Sequence, residues 1–556
     1  MQHKCLFLML LVLVLLCTCL TGAVAEESRE TFTSGDYEYA LLDDGTVEIT
    51  KYKVSVEALD IPDMLDGRKV TSIGDNAFSS CGSLTFITIP DSIISIGNHA
   101  FSDCRFLRSI SIPNSIISIG SSAFSSCISL ASITIPDSVI FIGDRAFDSC
   151  NALTSVFIPA SVTQIGINPF ASCQSLKSIS ISPDNPYFSV IDNALFRNAD
   201  DSLIASPARI QVSAYHIPQG TVSISASAFE GCDSLTSVFI PDSVLSIGDH
   251  AFYSCAFLTS ISIPNSVLSI GDSAFSYCRS LTSVSISDSV SQIGVNPFAF
   301  CDMLTSISVS PDNSHLAAID NVLFRKTDKS LISYPAGSKS STYNIPQGIA
   351  SIGDDAFNFC SSLTSVSIPN SVTSIGNSAF YYCAALTSVS IPNSVTSIGD
   401  SAFYYCTALT SVSIPNSVTF IGDGAFSSCD SLTSICIPDS IVSIGNSTFY
   451  SCSSLASISI PDSVTSIGSN AFRSCSSLTS VSIPDSVTSI GDNAFSSIRR
   501  LASVFIPDSV ISIGKDAFSN CRRLTLTVPR NSYAAEYAKA NNIPYTYPDA
   551  NDWLNN

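Results

Sequence analysis

Residues 72–92 read Ser72-Ile73-Gly74-Asp75-Asn76-Ala77-Phe78-Ser79-Ser80-Cys81-Gly82-Ser83-Leu84-Thr85-Phe86-Ile87-Thr88-Ile89-Pro90-Asp91-Ser92. Variants of this stretch recur between residues 71 and 528 with a period of 23 residues. One phenylalanine marks each of 17 copies: Phe78, Phe101, Phe124, Phe147, Phe170, Phe229, Phe252, Phe275, Phe298, Phe357, Phe380, Phe403, Phe426, Phe449, Phe472, Phe495 and Phe518. Such a long array predicts one elongated solenoid instead of several globular domains.

Each repeat has two halves with different hydrophobic periods. Segment 84–89 alternates apolar and polar residues before Pro90, which predicts a short strand that ends at the proline. Segment 77–84 spaces its apolar residues by three and four positions, which is typical of one or two helical turns. Because one repeat cannot bury its own apolar residues, neighbours must stack in parallel. The pattern predicts an α/β repeat solenoid with short parallel strands and short helical segments.

The period is interrupted twice. The spacing between successive repeat cysteines rises from 23 to 59 residues, at about 183–218 and again at about 311–346. The two interruptions are copies of each other at an offset of 128 residues. Within the first, residues 195–204 have the pattern of strand, turn and strand. We therefore interpret both as β-hairpin inserts in a solenoid that spans residues 71–528.

The two ends have other patterns. Residues 1–25 are typical of a secretory signal peptide, and no later apolar run is long enough to cross a bilayer. Cys17 and Cys19 raise the alternative of a lipid anchor, but the residues before them suit that cleavage poorly. Residues 26–70 predict an N-terminal β cap, and residues 529–556 a C-terminal helical cap and tail. We therefore expect a secreted protein or one at the extracellular surface.

The repeat resembles the BspA-type leucine-rich repeat family, whose unit carries I-G-x-x-A-F-x-x-C-x-x-L followed by a strand that ends in I-P. The insert at 185–192 and the helix-like segment after Ser532 also resemble that family, although Ser314 replaces Pro186 in the second insert. The resemblance implies a leucine-rich repeat array. Members are mostly secreted or surface proteins of bacteria and some mucosal protozoa, implicated in adhesion to host matrix proteins and to other cells. It implies no catalytic residues and no fixed binding residues.

Cysteine is unusually frequent in this chain. Sixteen of the 20 cysteines occupy one repeat position, from Cys81 to Cys521. A disulfide ladder is one alternative, but neighbouring rungs lie about 4.8 Å apart while bridged Cβ atoms prefer ~3.8 Å. Ile498 replaces the cysteine in one repeat, as expected for an apolar position. The pattern favours free buried thiols over disulfides, and favours a metal site least.

A second polar column follows the strand proline. Its members are Asp91, Asn114, Asp137, Asp242, Asn265, Asn370, Asn393, Asn416, Asp439, Asp462, Asp485 and Asp508. Stacked carboxylates could hold calcium, most plausibly from Asp439 to Asp508. Because asparagine replaces aspartate freely, a local hydrogen bond from the side chain to the turn backbone is the favoured explanation. We expect no metal and no cofactor.

Charge and motif content narrow the function. Lys and Arg total 25 against 46 Asp and Glu, a net charge of −21, which makes nucleic acid or an anionic membrane an improbable partner. The four histidines after the signal lie in unrelated settings, and the chain has no G-x-S-x-G, H-E-x-x-H or P-loop motif. We do not expect an enzyme.

The outward strand position supplies candidate binding residues. Most repeats place Ser or Thr there, but Phe157, Phe239, Phe505 and Cys436 are exceptions. An outward aromatic residue is either tolerated surface or a contact point, and tolerance is favoured because isolated exposed apolar residues are common. Phe157 and Phe239 are the better candidates for contact because they flank the first insert, which could wall a pocket between them. The hypothesis is a leucine-rich repeat binding protein that holds a host or neighbouring-cell surface or matrix protein, or a glycan, through its strand face and inserts. The alternative is a structural or antigenically variable surface component without one defined ligand.

The repeat model makes a direct prediction. Deleting one whole period, residues 397–419, preserves every type of rung interface and should leave a folded, shorter protein. Deleting half of that segment should shift the ladder out of register and cause aggregation. Equal solubility and circular dichroism for both variants would contradict the model.

Overall fold

The computed structural model describes residues 29–548, so the predicted signal peptide lies outside the described residues. The chain winds into a solenoid in which each 23-residue repeat forms one rung, and nearly every rung has two short strands; the second strand is absent at residues 131–136 and reduced to an isolated bridge at Ser459. Equivalent strands of successive rungs pair in parallel, as Ser95 with Ser118 and Ile87 with Ile110. The result is two strand columns along the solenoid, where the sequence pattern predicted one.

The first column carries the Ser-Ile pair before the repeat glycine. Its two-residue strands are Ser95–Ile96, Ser118–Ile119, Phe141–Ile142, Gln164–Ile165, Ser223–Ile224, Ser246–Ile247, Ser269–Ile270, Gln292–Ile293, Ser351–Ile352, Ser374–Ile375, Ser397–Ile398, Phe420–Ile421, Ser443–Ile444, Ser466–Ile467, Ser489–Ile490 and Ser512–Ile513.

The second column is the predicted strand before the proline. Its strands are Phe86–Thr88, Ser109–Ser111, Ser155–Ile158, Ser178–Ile181, Ala214–His216, Ser237–Phe239, Ser260–Ser262, Ser283–Ile286, Ser306–Val309, Thr342–Asn344, Ser365–Ser367, Ser388–Ser390, Ser411–Ser413, Ser434–Cys436, Ser480–Ser482, Ser503–Phe505 and Thr525–Thr527.

The prediction of short helical segments in the repeats is wrong. The residues around Phe78 form turns, and Asn76 and Ser80 have positive φ angles of 59° and 60°, which an α-helix does not accept. The backbone N–H of Phe78 donates to the carbonyl of Ala100 in the next rung at 2.8 Å, where a helix would direct it to its own preceding turn. The spacing of three and four therefore reflects which side chains face the core of a turn.

The marker phenylalanines stack along the solenoid. Within each uninterrupted run, successive ring centroids lie 4.8–5.8 Å apart with planes within 17° of parallel. All these rings are buried. Tyr52 continues the stack below Phe78, and Tyr537 packs edge-on against Phe518 at the other end. The stack forms the centre of the hydrophobic core.

Both ends of the ladder are covered. The N-terminal strands are Thr31–Ser34, Tyr37–Leu41, Val47–Tyr52, Ala58–Asp60, Met64–Leu65 and Arg68–Ile73. The first three form an antiparallel meander, and Val47–Tyr52 then pairs in parallel with Arg68–Ile73. At the C-terminus, the predicted helix is present as Tyr533–Ala540, capped by the side chain of Ser532, and strand Tyr545–Thr546 pairs with Thr525–Thr527. Both end strands thereby have partners.

Each insert contributes three strands. They are Phe188–Ile191, Ala194–Arg197 and Ser202–Ala205 in the first, and Leu316–Ile319, Val322–Arg325 and Ser330–Ser333 in the second. Successive strands within an insert are antiparallel, and the third then pairs in parallel with the first column of the next rung. The backbone N–H of Ser206 in the first insert, like that of Tyr334 in the second, donates to a backbone carbonyl of the next rung. The N–H of a marker phenylalanine does the same in an ordinary repeat. The insert therefore includes an additional rung.

A buried asparagine fixes the start of each insert. Asn185 donates both amide hydrogens to carbonyl oxygens of the preceding rung and accepts two backbone N–H groups, all at 2.9–3.1 Å. Asn313 makes the same four contacts. Since all its hydrogen-bonding capacity is used, the asparagine is fully satisfied in the core. The replacement of Pro186 by Ser314 therefore leaves this turn unchanged.

The repeat cysteines are unbridged among the described residues. In most rungs, Sγ donates to the carbonyl oxygen of the preceding rung's marker phenylalanine at 3.0–3.2 Å, as Cys104 does to Phe78. Cys232 and Cys360, which follow the inserts, have longer contacts of 3.6–4.0 Å. Burial raises the pKa of Cys127 to about 12. The thiols therefore act as small apolar groups that also link rungs.

The native protein should alkylate selectively. At pH 8.5 we expect fast iodoacetamide modification of the exposed Cys436, slower modification of the half-buried Cys81 and Cys521, and protection of the rest. After denaturation without reductant, every cysteine should react, as mass spectrometry would show. Several cysteines that still resist would identify disulfides.

Cys406→Ala should cost only ~1–2 kcal/mol of unfolding free energy, as a small cavity.

Candidate interaction surfaces

Phe157 and Phe239 both lie on the outward face of the second column. Their side chains are 50% and 54% exposed. Phe157 lies opposite Ser180 of the next rung, whereas Phe239 stacks on His216 with ring centroids 4.3 Å apart and planes 6° from parallel. The second column is interrupted between these two rungs, because Ser178–Ile181 does not pair with Ala214–His216. The two phenylalanines are thus separate contact points.

The first insert does wall a groove, but on the other strand column. The groove has a volume of about 490 Å³, and its lining includes Phe141, Gln164, Tyr187 and Arg197, without Phe157 or Phe239. Arg197 is oriented by the carbonyl of Ile165 and by the carboxylate of Asp200. The second insert has Ser269 and His315 at the positions of Phe141 and Tyr187. Aromatic walls are therefore specific to the first insert.

A larger aromatic surface lies on the turn side of the solenoid. We name it the aromatic ribbon; its members are Tyr253, Tyr277, Phe300, Phe359, Tyr381, Tyr382, Tyr404 and Tyr405. Neighbouring centroids are 4.0–6.4 Å apart, so the rings form one connected chain. The rings are half-buried against one another, and Tyr405 is 37% exposed. The ribbon is an extended surface of aromatic edges and phenol hydroxyls.

Five ribbon residues occupy the left-handed backbone region. Tyr277, Phe300, Phe359, Tyr382 and Tyr405 have φ angles of 58–62°. The other rungs place Ser, Asp, Asn or Gly at this repeat position. A bulky residue there costs roughly 1–2 kcal/mol relative to right-handed backbone, while each ring contact returns only ~0.5–1.5 kcal/mol. Because each of these rings makes at least two contacts, stacking offsets the backbone cost, and what distinguishes these five repeats is that a left-handed position common to all rungs holds a bulky ring.

The first insert shows that its rung junction does not need aromatic residues. Ser172 and Gly231 stand there at the positions that Phe300 and Phe359 occupy at the second insert. The junction is instead closed by Arg145, whose guanidinium contacts Glu230 at 2.6 Å and also reaches Asp148. Burial raises the pKa of Asp148 despite this cation. One insert thus has an ionic junction and the other an aromatic one.

Sequence reasoning missed the aromatic ribbon because it considered outward positions only on the predicted strand. The signal was present as Tyr381-Tyr382 and Tyr404-Tyr405, which stand one period apart. Because the turn residues were predicted to be helical, the side chains that point away from the core in a turn were not assigned to an outer surface.

The post-proline column differs from its predicted role. Its Asp and Asn side chains are exposed and make no hydrogen bond to any described residue, so the predicted side-chain bond in the turn is wrong. The following serine makes the link instead, as Ser463 Oγ donates to the carbonyl of Ile441 at 2.6 Å. Within residues 29–548, no group of three or more His, Cys, Asp or Glu side chains is arranged to hold a metal ion.

A different acidic column links the rungs. Where the residue after the repeat glycine is Asp or Asn, its side-chain oxygen accepts the backbone N–H of its counterpart in the next rung, as Asp400 does from Asp423 at 2.8 Å. Equivalent bonds occur on both sides of each insert. These Asp and Asn side chains therefore have a structural role. In the described part of the chain, no helix is both long and apolar enough to cross a membrane.

Comparisons with known proteins identify a matching family model and several similar solved structures. A family model described as "BspA type Leucine rich repeat region" matches residues 71–201, 208–331, 336–454 and 419–539. No relative among the curated proteins matches. Among solved structures, a leucine-rich repeat protein from Bacteroides ovatus is 24% identical, over 93% of this chain and 99% of that one, with a TM-score of 0.32.

Two further solved structures are similar over most of their lengths. A leucine-rich cell surface protein from Faecalibacterium prausnitzii is 26% identical, over 92% of this chain and 98% of that one, with a TM-score of 0.28. The pneumococcal vaccine antigen PcpA is 18% identical, over 93% and 98%, with a TM-score of 0.33. The family assignment rests on the family model, which covers most of the chain. This chain belongs to the BspA-type leucine-rich repeat family.

Proposed function

We propose that this protein is a secreted or cell-surface binding protein that mediates adhesion through protein contacts. The observation that carries the proposal is the aromatic ribbon, in which a left-handed position that other rungs fill with Ser, Asp, Asn or Gly holds five bulky residues. Strain of this kind concentrates at functional sites. Tyrosine also supplies large contact area with few rotatable bonds, which is why it is enriched where proteins bind one another.

The shape of the ribbon favours a protein partner. Its rings stack on each other, as Tyr382 does on Tyr405 at 4.2 Å, so most ring faces are already covered. What remains available are ring edges and hydroxyls, which suit a mixed apolar and hydrogen-bonding protein surface. Ribbon residues extend over consecutive rungs, so contacts along one partner would add.

The strand face and the first insert form a second proposed contact region. The uniform Ser and Thr face offers little selectivity by itself, so selectivity would come from Phe157, Phe239 and the insert. A host or neighbouring-cell surface or matrix protein, or a glycan, is the proposed partner. The alternative function is a structural or antigenically variable surface component without a single ligand. Neither proposal involves catalysis.

The ribbon can be tested with Tyr382→Ser combined with Tyr405→Ser. Serine suits the left-handed backbone, so relief of strain should offset the lost stacking and leave unfolding free energy within about 1 kcal/mol. Capture of matrix proteins and whole cells by the mature protein should weaken at least about 10-fold. Tyr450→Ser, at the repeat position of Tyr381 and Tyr404, is the matched control and should bind normally. Unchanged capture by the double variant would favour the structural alternative.

The strand face can be tested with Phe157→Ser combined with Phe239→Ser. Binding of the captured partner should weaken by at least ~2 kcal/mol, with a nearly unchanged melting temperature because both rings are half exposed. Phe505→Ser changes the same repeat position far from the inserts and serves as the control. Association with a basic partner should weaken as salt increases. If the double variant and a variant without the first insert both bind normally, recognition lies elsewhere.

A further inference from the structure

The positive charges of this acidic protein are unevenly distributed. Residues 340–472 contain no Lys or Arg and seven Asp, whereas residues 473–539 contain eight Lys or Arg against five Asp or Glu. Residues 473–539 are thus locally positive in a chain of net charge −21, although Asp549 and Asp552 follow them. Such an asymmetry sets up a local field that attracts anions to one end.

Four arginines form the centre of this region. Arg499 and Arg500 lie between Ile498 and Leu501, and Arg522 and Arg523 occupy the same two positions one period later. We name these four the arginine square. The two rungs are held together on both sides, by Cys521 Sγ to the carbonyl of Phe495 and by the N–H of Thr525 to the carbonyl of Ala502. Equivalent residues of neighbouring rungs lie roughly 4.8 Å apart.

The arginine square has no partner among residues 29–548. All four side chains are exposed, and none makes a hydrogen bond or ion pair with a described residue. Elsewhere, arginines at the first of these positions are engaged: Arg105 contacts Asp103 at 3.2 Å, and Arg279 lies over the ring of Tyr277 at 5.9 Å. Like charges on adjacent rungs repel, so the repeated pair is unfavourable for folding. The repeated, unpaired arginine pair therefore indicates a site for an anionic ligand.

We propose that the arginine square binds a linear polyanionic polysaccharide, one that carries sulfate or carboxylate groups. A guanidinium presents a fork of N–H donors that matches both groups. Beside Arg522 lies a groove of about 270 Å³, between the last rung and the C-terminal helix, whose mixed polar and apolar lining includes Asn520, Asn541 and Asn542 together with Asp516 and Tyr537. Amide side chains suit the hydroxyls of a sugar chain, which favours a saccharide ligand.

Nearby carboxylates favour a narrow ligand over a flat one. Asp485 and Asp508 are exposed after the strand prolines, and Asp492 and Asp516 follow the repeat glycines in the same part of the solenoid. An anionic membrane pressed against this end would meet these charges together with the arginines. A single extended chain can follow the arginine square, with Asp516 in the lining of the groove beside Arg522. This site uses other rungs than the aromatic ribbon and does not depend on the function proposed for it.

The test measures binding of the mature protein to immobilised heparin, a sulfated polysaccharide, with uncharged dextran as the blank. The parent should bind heparin and be released by salt. Replacing all four arginines by Ser should reduce the affinity at 0.1 M salt at least tenfold, with unchanged circular dichroism. Replacing all four by Lys should give intermediate affinity, because charge is kept and the fork is lost. Arg105→Ser combined with Arg279→Ser is the matched control and should bind like the parent.

Three results would overturn the proposal. The first is a parent that does not bind heparin, and the second is a fourfold Ser variant that binds as the parent does. The third is equally tight binding to vesicles of anionic phospholipid, lost in the same variant, which would assign the arginine square to a membrane surface. Because no residue of the aromatic ribbon or in contact with it is changed in the fourfold variants, their capture of a protein partner should be unaffected.

Discussion

Close backbone contact between successive rungs is the constraint on which the whole structure depends. A Cβ atom placed on Gly120 would lie 2.5 Å from the carbonyl carbon of Gly97, nearer than any real side chain allows. The repeat glycine therefore permits rungs to approach until their backbones touch. At that distance the phenylalanine rings stack, the cysteine thiols reach the carbonyls below, and the turn N–H groups find acceptors in the next rung. The missing side chain in 16 of the 17 marked repeats, with Ser225 as the exception, permits all these contacts.

Such a scaffold separates stability from recognition. The inward positions repeat almost without change, because each must match the same position in both neighbours. The outward positions have no such partner requirement, so departures such as the aromatic ribbon and the arginine square can accumulate at particular rungs. Since a change in one rung is felt mainly by its neighbours, several surfaces can coexist on one chain.

The sequence predicted the solenoid, its period and the extent of its array because stacking requires the same residue at the same position in every rung. It predicted the location of the inserts for the same reason. The sequence did not predict the turn conformation. A spacing of three residues between Phe78, Cys81 and Leu84 fits a helix, and it equally fits a turn whose hydrogen bonds go to the next rung. The roles of Asn185 and Arg145 depend on partners many residues away, which a repeat pattern does not reveal. The aromatic ribbon was detectable, but only with the correct turn geometry.

The inserts also divide the core lengthwise. Buried residues form three clusters, from Tyr39 to Ala205, from Ala194 to Ile332 and from Val322 to Ala538, which meet at the inserts. The first meeting point is crossed by the ion pair of Arg145 and Glu230, and the second by the contact of Phe300 with Phe359. A protein that tethers a cell under fluid flow carries tension along its length. Under such tension we expect the solenoid to yield first at these two joints, extending in steps and leaving each segment between them folded.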